Sequence, residues 1–461
     1  MPTLRLIAAA ALALAAGDLA AAVHRIGPGD DLGRIRTLHA GDVVEIASGT
    51  YNQAARWSCA GTPDAPVVIR GVGPTRPLID ATGVLVDGAI RRPRACLQID
   101  GVDVVVERLE FANARNSQNG CGFRSSAPRD ALAATVVLRD CVIHDCDMGI
   151  QSDGGQHLVV EGCDIFRCGT PDFAGASHNI YAGNRRLTVR GSWIHDSTVG
   201  YNIKTRCHYV ELLYNLISGS AEGEVDLVDS DWTRLPDANA LMLGNVVVST
   251  QRLPTANKQR FVVFGDEGEA HPGSLFVYHN TFIAGTPDID FLSCRHPESG
   301  IIAANNVFWG SGTVGTSCDG PFAGAANWIE GGGRLPPGFA VGGVDPRFVA
   351  PATGDFRLAA SSPCRDLGRA PLPYRDGDGN ECIAVAEWMY VAVGDLAPRG
   401  VDARCDLGAY EVGGKVGGAN RRARRAAAKP KAKAKADPEA DAQVPAGDAP
   451  APAVDPPPAP R

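Results

Sequence analysis

The stretch SHNIYAGNRRLTVRGSWIHDSTVGYNIKTR, residues 177–206, contains a near-copy of its own beginning. HNIY starts at His178 and YNIK at Tyr201, a step of 23, and GEVD follows at Gly223, a step of 22. An apolar residue holds the third place in each word: Ile180, Ile203, Val225. Side chains alternate across a strand, so these three point to one face and their neighbours to the other. Two outward columns are then expected: Asn179, Asn202 and Glu224; and Tyr181, Lys204 and Asp226. GIQS, one copy earlier, sets Gln151 beside Tyr181.

Working outward, one pattern recurs from residue 104 to 310: a β-branched run, a turn-like pair, a small or polar residue, then a second apolar pair. Its copies include VVLRDCVIHDC, LVVEGCDIFRC, LTVRGSWIHDS, ALMLGNVVVST and LFVYHNTFIAG. One column reads Leu109, Cys141, Cys163, Ser192, Asn215, Asn245, Asn280, Asn306, with steps between 22 and 35. Helical periodicity is almost absent. A minimum step near 22 suits one coil of a solenoid, three short strands and three turns, with longer copies bulging at a turn. Asn tolerates left-handed backbone at such a turn, and stacked amides bond from coil to coil. Cys141 with Cys163, and Cys146 with Cys168, fall on adjacent coils about 4.8 Å apart, which permits a disulfide without requiring one.

A solenoid must cover the open ends of its core. GDDLGRIRTLHAGDVVEIASGTY, residues 29–51, reads as a short amphipathic capping helix, with Leu32, Ile35 and Leu38 on one face, followed by a strand. LHAGDVVEIASGTYN followed by GTPDAPVVIRGVG resembles the N-terminal segment of secreted right-handed parallel β-helix proteins of the pectate-lyase-like superfamily, especially the chondroitinase B and alginate lyase group. SSPCRDLG…CDLGAYE, within 361–411, resembles the close of many bacterial β-helix proteins. The resemblance implies an all-β right-handed parallel β-helix over residues 26–411. In the chondroitinase B-like group a Lys and an Arg carry an elimination, often with Ca²⁺. The matching motifs are turn and cap residues, so they speak for fold rather than activity.

Residues 1–22 have the form of a secretory signal: Arg5, the apolar LIAAAALALAA, and LAAA before the expected cut. No later segment reaches the length of a membrane span. A secreted or periplasmic monomer is expected, with a polysaccharide as partner and no nucleic acid. The 13 cysteines all follow the signal, and an odd count leaves at least one unpaired. The expected β-helix domain, 23–412, gives way at 413–461 to an Ala, Pro and Lys-rich tail with almost nothing to bury, expected to be disordered. That tail holds ten basic and five acidic residues; the remainder holds 34 basic against 47 acidic, a net of −13. So acidic a body disfavours a long polyanion unless Ca²⁺ or a local basic patch intervenes.

Polar residues concentrate on the three middle coils. For β-elimination on a uronate, Lys204 or Tyr181 offers the base, His178 or Tyr181 the acid, and Arg206 a bidentate cation for the carboxylate. As a base Lys204 would need a lowered pKa. For hydrolysis, Glu224, Asp226 and Asp229 offer carboxylate pairs. Asn179, Asn202, Gln151, Glu224 and Trp232 are candidate sugar contacts, with Trp232 and the TPDFAGA insertion after Cys168 as walls. Asp229 and Asp231 are candidate Ca²⁺ ligands, and GDEGE at 265–269 is a second acidic cluster. Structural readings stand beside these: a cross-rung ion pair for Lys204 and Asp226, an amide ladder for Asn179 and Asn202. A non-catalytic sugar-binding surface is the third functional class.

Overall fold

The computed structural model describes residues 21–413, apart from 90–91, 250–259, 268–270, 286–288, 334 and 402–403, with backbone alone at 260. The expected leader and tail therefore lie outside the described residues, save Ala21, Ala22 and Gly413. Every described residue falls in the unit Met1–Val416. Among the described residues no helix is long and apolar enough to cross a membrane.

The chain winds as a parallel β-helix. One face is a 12-stranded stack whose neighbours are all successive coils. The other two faces join into a 22-stranded sheet, because strands such as Met148–Glu161 and Ile180–Arg190 run unbroken round the corner between them. Their register slips there, between Gly154 and His157.

The word alignment is the register of the first face. Ile150 pairs with Ile180, Ile180 with Ile203, and Ile203 with Val225, all fully buried. On the 12-stranded face Ile143, Ile165, Ile194, Ile217 and Val247 make the matching inward column. Each such aliphatic side chain contributes roughly 1.5–3 kcal/mol on burial. These columns are continuous, so the core is one rod rather than a sphere.

Asn215, Asn245, Asn280 and Asn306 stack at one turn, as expected, and Asn327 extends the ladder by a fifth rung. Each Nδ2 donates to the next Oδ1 at 2.8–3.1 Å, and each backbone N–H donates to that same oxygen at 2.9–3.0 Å. The left-handed residue is not the Asn but the one before it: Tyr214 (φ 56°), Gly244 (69°), His279 (54°) and Asn305 (60°). The Asn is there for its amide, which satisfies the backbone that the tight corner leaves bare.

The caps differ from expectation at one end. Leu32, Ile35 and Leu38 are buried over the first coil, but the helix is only the three-residue 3₁₀ turn Leu32–Arg34. Ile35 is already extended, and Leu38 lies in the strand Thr37–His39. A spacing of three fits a 3₁₀ turn as well as an α-helix, and Gly33 within the turn weakens the longer form. Beyond the last coil three antiparallel hairpins fold back along the side of the rod, where Tyr278 Oη donates to the Pro373 carbonyl and Gly394 N–H to the Gly191 carbonyl. There Arg399 and Glu411, 0% and 1% exposed, pair at 3.0 Å, and Asp406 accepts from the N–H groups of Asp366 and Val412. The PCRDLG and CDLGAYE words are thus a clasp. All thirteen cysteines are free thiols and eleven are buried, including Cys141, Cys163, Cys146 and Cys168.

Candidate functional site

The first face carries an outward column with one residue per rung: Arg56, Gln98, Arg124, Gln151, Tyr181, Lys204, Asp226, then Val263 and Ser293. Its N-terminal arginines are paired with aspartates two residues further along the strands. Arg56 pairs with Asp100, and Arg124 bonds Gln151 and, at 3.1 Å, Asp153. Beyond Asp226 the column carries no charge and is fully buried at Val263 and Ser293. Tyr181, Lys204 and Asp226 therefore sit where polarity is least settled.

Lys204 is 6% exposed and lies between two carboxylates, with Nζ 2.6 Å from Glu267 Oε1 and 3.4 Å from Asp226 Oδ2. Burial pushes its pKa down, but Asp226 and Glu267 outweigh that and hold it above the ordinary lysine value. This corrects the expectation of a lowered pKa: Lys204 is kept as a cation, not prepared as a base. Asp226, 4% exposed, is pushed up to about 6, because burial outweighs the one cation beside it. Glu267 is pulled below its usual value: burial opposes, but hydrogen bonds from Lys204 and Arg206 prevail.

Arg206 reaches across the rungs. Its Nε donates to Tyr181 Oη at 2.8 Å, Nη2 pairs with Glu267, and Nη1 donates to the Asp229 carbonyl. Two cations, Lys204 and Arg206, thus converge on one carboxylate, that of Glu267. Glu267 arrives from the loop after the strand Arg260–Phe264, about sixty residues downstream of Lys204. The sequence marked its acidic cluster but carried no register linking it to Lys204. Trp232 lies by Gly183, two residues beyond Tyr181: its Nε1 donates to the Gly183 carbonyl at 3.2 Å, and Arg129 lies 4.2 Å over its ring.

The other column is not in the groove. Asn179, Asn202 and Glu224 are fully buried. Asn179 Nδ2 donates to Asn202 Oδ1 at 2.7 Å, and Asn202 Nδ2 to Glu224 Oε2 at 2.6 Å. Glu224 Oε1 accepts from Ser220 N–H at 3.1 Å. They form a second interior ladder, which removes them as sugar contacts and removes Glu224 as a hydrolytic carboxylate. The strands begin one residue later, at Ile180, Ile203 and Val225, so strand alternation does not govern these positions. They belong to the turn, whose amides they serve. Burial pushes Glu224 up to about 8.

His178 is buried too, with Nδ1 accepting from Tyr201 N–H at 3.1 Å and its ring against Tyr181. It props the tyrosine and cannot act as a solvent-facing acid. Asp229 is fully buried and clasped by two histidines, His271 Nδ1 at 3.1 Å and His296 Nε2 at 2.7 Å. Asp231 is exposed, beside Arg129 and Arg234. The two aspartates face different partners, and the structure does not bring the expected Ca²⁺ ligand pair together. Among the described residues no cluster of three His, Cys, Asp or Glu could hold a metal ion.

The family described as the right handed beta helix region matches residues 82–247. The crystal structure of pectate lyase Pel9A superposes with a TM-score of 0.54 at 13% identity, covering 84% of this chain and 96% of that one. The fold is the right-handed β-helix. The native structure of a GH136 lacto-N-biosidase from Eubacterium ramulus is also similar, with a TM-score of 0.42, 13% identity, and 70% and 66% of the two chains covered. No curated protein sequence matches. At such identities the likeness concerns the right-handed coil, not the residues on it.

Proposed function

We propose that the protein is an exported polysaccharide lyase that cleaves a uronate-containing glycan by β-elimination in the Tyr181–Lys204–Asp226 groove. The observation that carries this reading is the convergence of Lys204 and Arg206 on the Glu267 carboxylate. Two cations arranged around one carboxylate are what a uronate needs, since neutralising its charge makes the C5 proton removable. Tyr181 is the base. Its oxygen already accepts from Arg206 Nε, which fixes the hydroxyl beside the two cations. Tyr181 takes the C5 proton, the C–H electrons form the C4–C5 double bond, and the C4–O bond breaks. The same phenol returns its proton to the leaving oxygen. Lys204 stays charged throughout. No step is assigned to Ca²⁺, because Asp229 spends both carboxylate oxygens on histidines and Asp231 stands apart.

A hydrolase is the second reading. It is favoured by Asp226, pushed up to about 6, near Glu267, pulled down: two neighbouring carboxyls whose affinities for a proton are driven apart. Purified protein incubated with acidic and neutral glycans separates the two. The lyase yields an unsaturated uronate that absorbs in the ultraviolet. New reducing ends without that absorbance would transfer the groove to the hydrolase reading, and neither signal would leave it a sugar-binding surface.

A further inference from the structure

Within the groove, Lys204 has two carboxylate partners of unlike character. Asp226 is nearly buried, fixed in a strand and one rung away. Glu267 is 38% exposed at its side chain, comes from a loop, and reaches back across Asp226 to both Lys204 and Arg206. Its backbone is left-handed, φ 85°, a conformation that costs a residue with a side chain. Half-exposed ion pairs are weak, and screening weakens them further. Of all the groups around Lys204, Glu267 is therefore the one that can leave.

We infer that Glu267 is a specificity-determining residue, an internal carboxylate seated where the substrate's carboxylate binds. This rests on reading the groove as a glycan site. A neutral sugar offers nothing to replace Glu267 and would strand two cations beneath it. A uronate replaces it charge for charge and keeps both Lys204 and Arg206 satisfied. Glu267 thus selects anionic sugars by exclusion and weakens their binding by competition, a repulsive element next to an attractive one. A monocarboxylate unit, one per occupied position, is the ligand class, because the two cations meet at a single carboxylate.

Isothermal titration of the full chain with a galacturonate oligosaccharide and its neutral galactose counterpart tests this. Glu267→Gln keeps the side chain's shape and Glu267→Ala removes it; both should bind the uronate oligosaccharide about tenfold tighter. The neutral oligosaccharide should gain as well, since the exclusion is lifted, while remaining the weaker ligand. Unchanged or weaker uronate binding by both variants overturns the inference. So does a large fall in turnover with tighter binding, which would make Glu267 part of the chemistry. Arg206→Ala isolates the underlying reading: if it leaves wild-type uronate binding untouched, the groove itself is misassigned and the inference falls with it. If Arg206→Ala weakens binding while the Glu267 variants change nothing, the groove stands and only the role of Glu267 is lost.

Discussion

Asn202 and Lys204 stand two residues apart on the same coil, and each heads a column repeated on the coils beside it. The Asn202 column is closed. Asn179, Asn202 and Glu224 bond to one another and to turn backbone, fully buried. The Lys204 column is open: Lys204 meets Asp226 on the next rung but also takes Glu267 from a loop of another coil. A column whose partners lie on the next rung can be built of one repeated letter. A column whose partners arrive from elsewhere changes letter at each rung. Repetition in this sequence therefore marks what holds the coil, and variation at a fixed register marks where chemistry can be placed.

The comparison breaks most readily in the closed columns. Asn245→Ala strands the backbone N–H of Asn215, one of the two N–H groups of its Nδ2 and the backbone oxygen of Leu212 in one stroke. With each buried group left bare costing about 1–3 kcal/mol, the variant should lose about 3–5 kcal/mol in urea denaturation. Its folded fraction should turn over substrate normally; a small stability change would show the ladder to be ornamental. The open column predicts the reverse. Tyr181→Phe should cut kcat by about a hundredfold, the scale of a lost acid–base group, with the urea midpoint nearly unchanged. An unaltered rate on a proven substrate would move the chemistry off this column.

Glu224 sharpens the contrast through pH. Its carboxyl is raised from 4.5 to about 8 in the folded chain, so between those values the folded state holds a proton that the unfolded state has released. Stability from this group is complete below its unfolded value and is lost as pH rises through its folded one, on the order of 2 kcal/mol between pH about 5 and about 8. Urea midpoints across that range should fall in the wild type, and the slope should flatten in Glu224→Gln, whatever that variant's absolute stability. A wild-type midpoint that rises with pH would refute the assignment. The smallest effect belongs to Asp231, which is 71% exposed at its side chain. Asp231→Asn should change stability by no more than about 0.5 kcal/mol, and adding a chelator should affect it and the wild type alike.

The coil was legible because its inward residues repeat at every rung: Ile180, Ile203 and Val225 set the register, and four of the five ladder asparagines were readable from one aligned column. Asn327 fell outside because the copy around it, AANWIEG, has lost the β-branched run that announces the others. The Tyr181, Lys204, Asp226 line was readable for the same reason as the coil. Glu267 and the histidine clasp on Asp229 were not, since loops that meet across the groove leave no period in the sequence. The misplacement of Asn179, Asn202 and Glu224 has a local cause. Alternation was extended one residue beyond the strand, into a turn where backbone demand sets the side chain's direction.

The asparagine ladder also has a sense. Every side-chain amide from Asn215 to Asn306 gives its N–H to the rung that follows, and Asn327 passes the last one to the Phe339 carbonyl and the Ala303 carbonyl. Five amide dipoles therefore lie head to tail along the rod, polarising one another as hydrogen-bonded chains do. Their positive ends point toward the last coil, where the Phe339 and Ala303 carbonyl oxygens terminate them. At the other end Ser192 N–H meets the first oxygen at 3.0 Å, and the column continues as Cys163 and Cys141, which carry no amide. The asparagine ladder thus runs over the C-terminal coils alone, and it begins on the coil that carries Lys204.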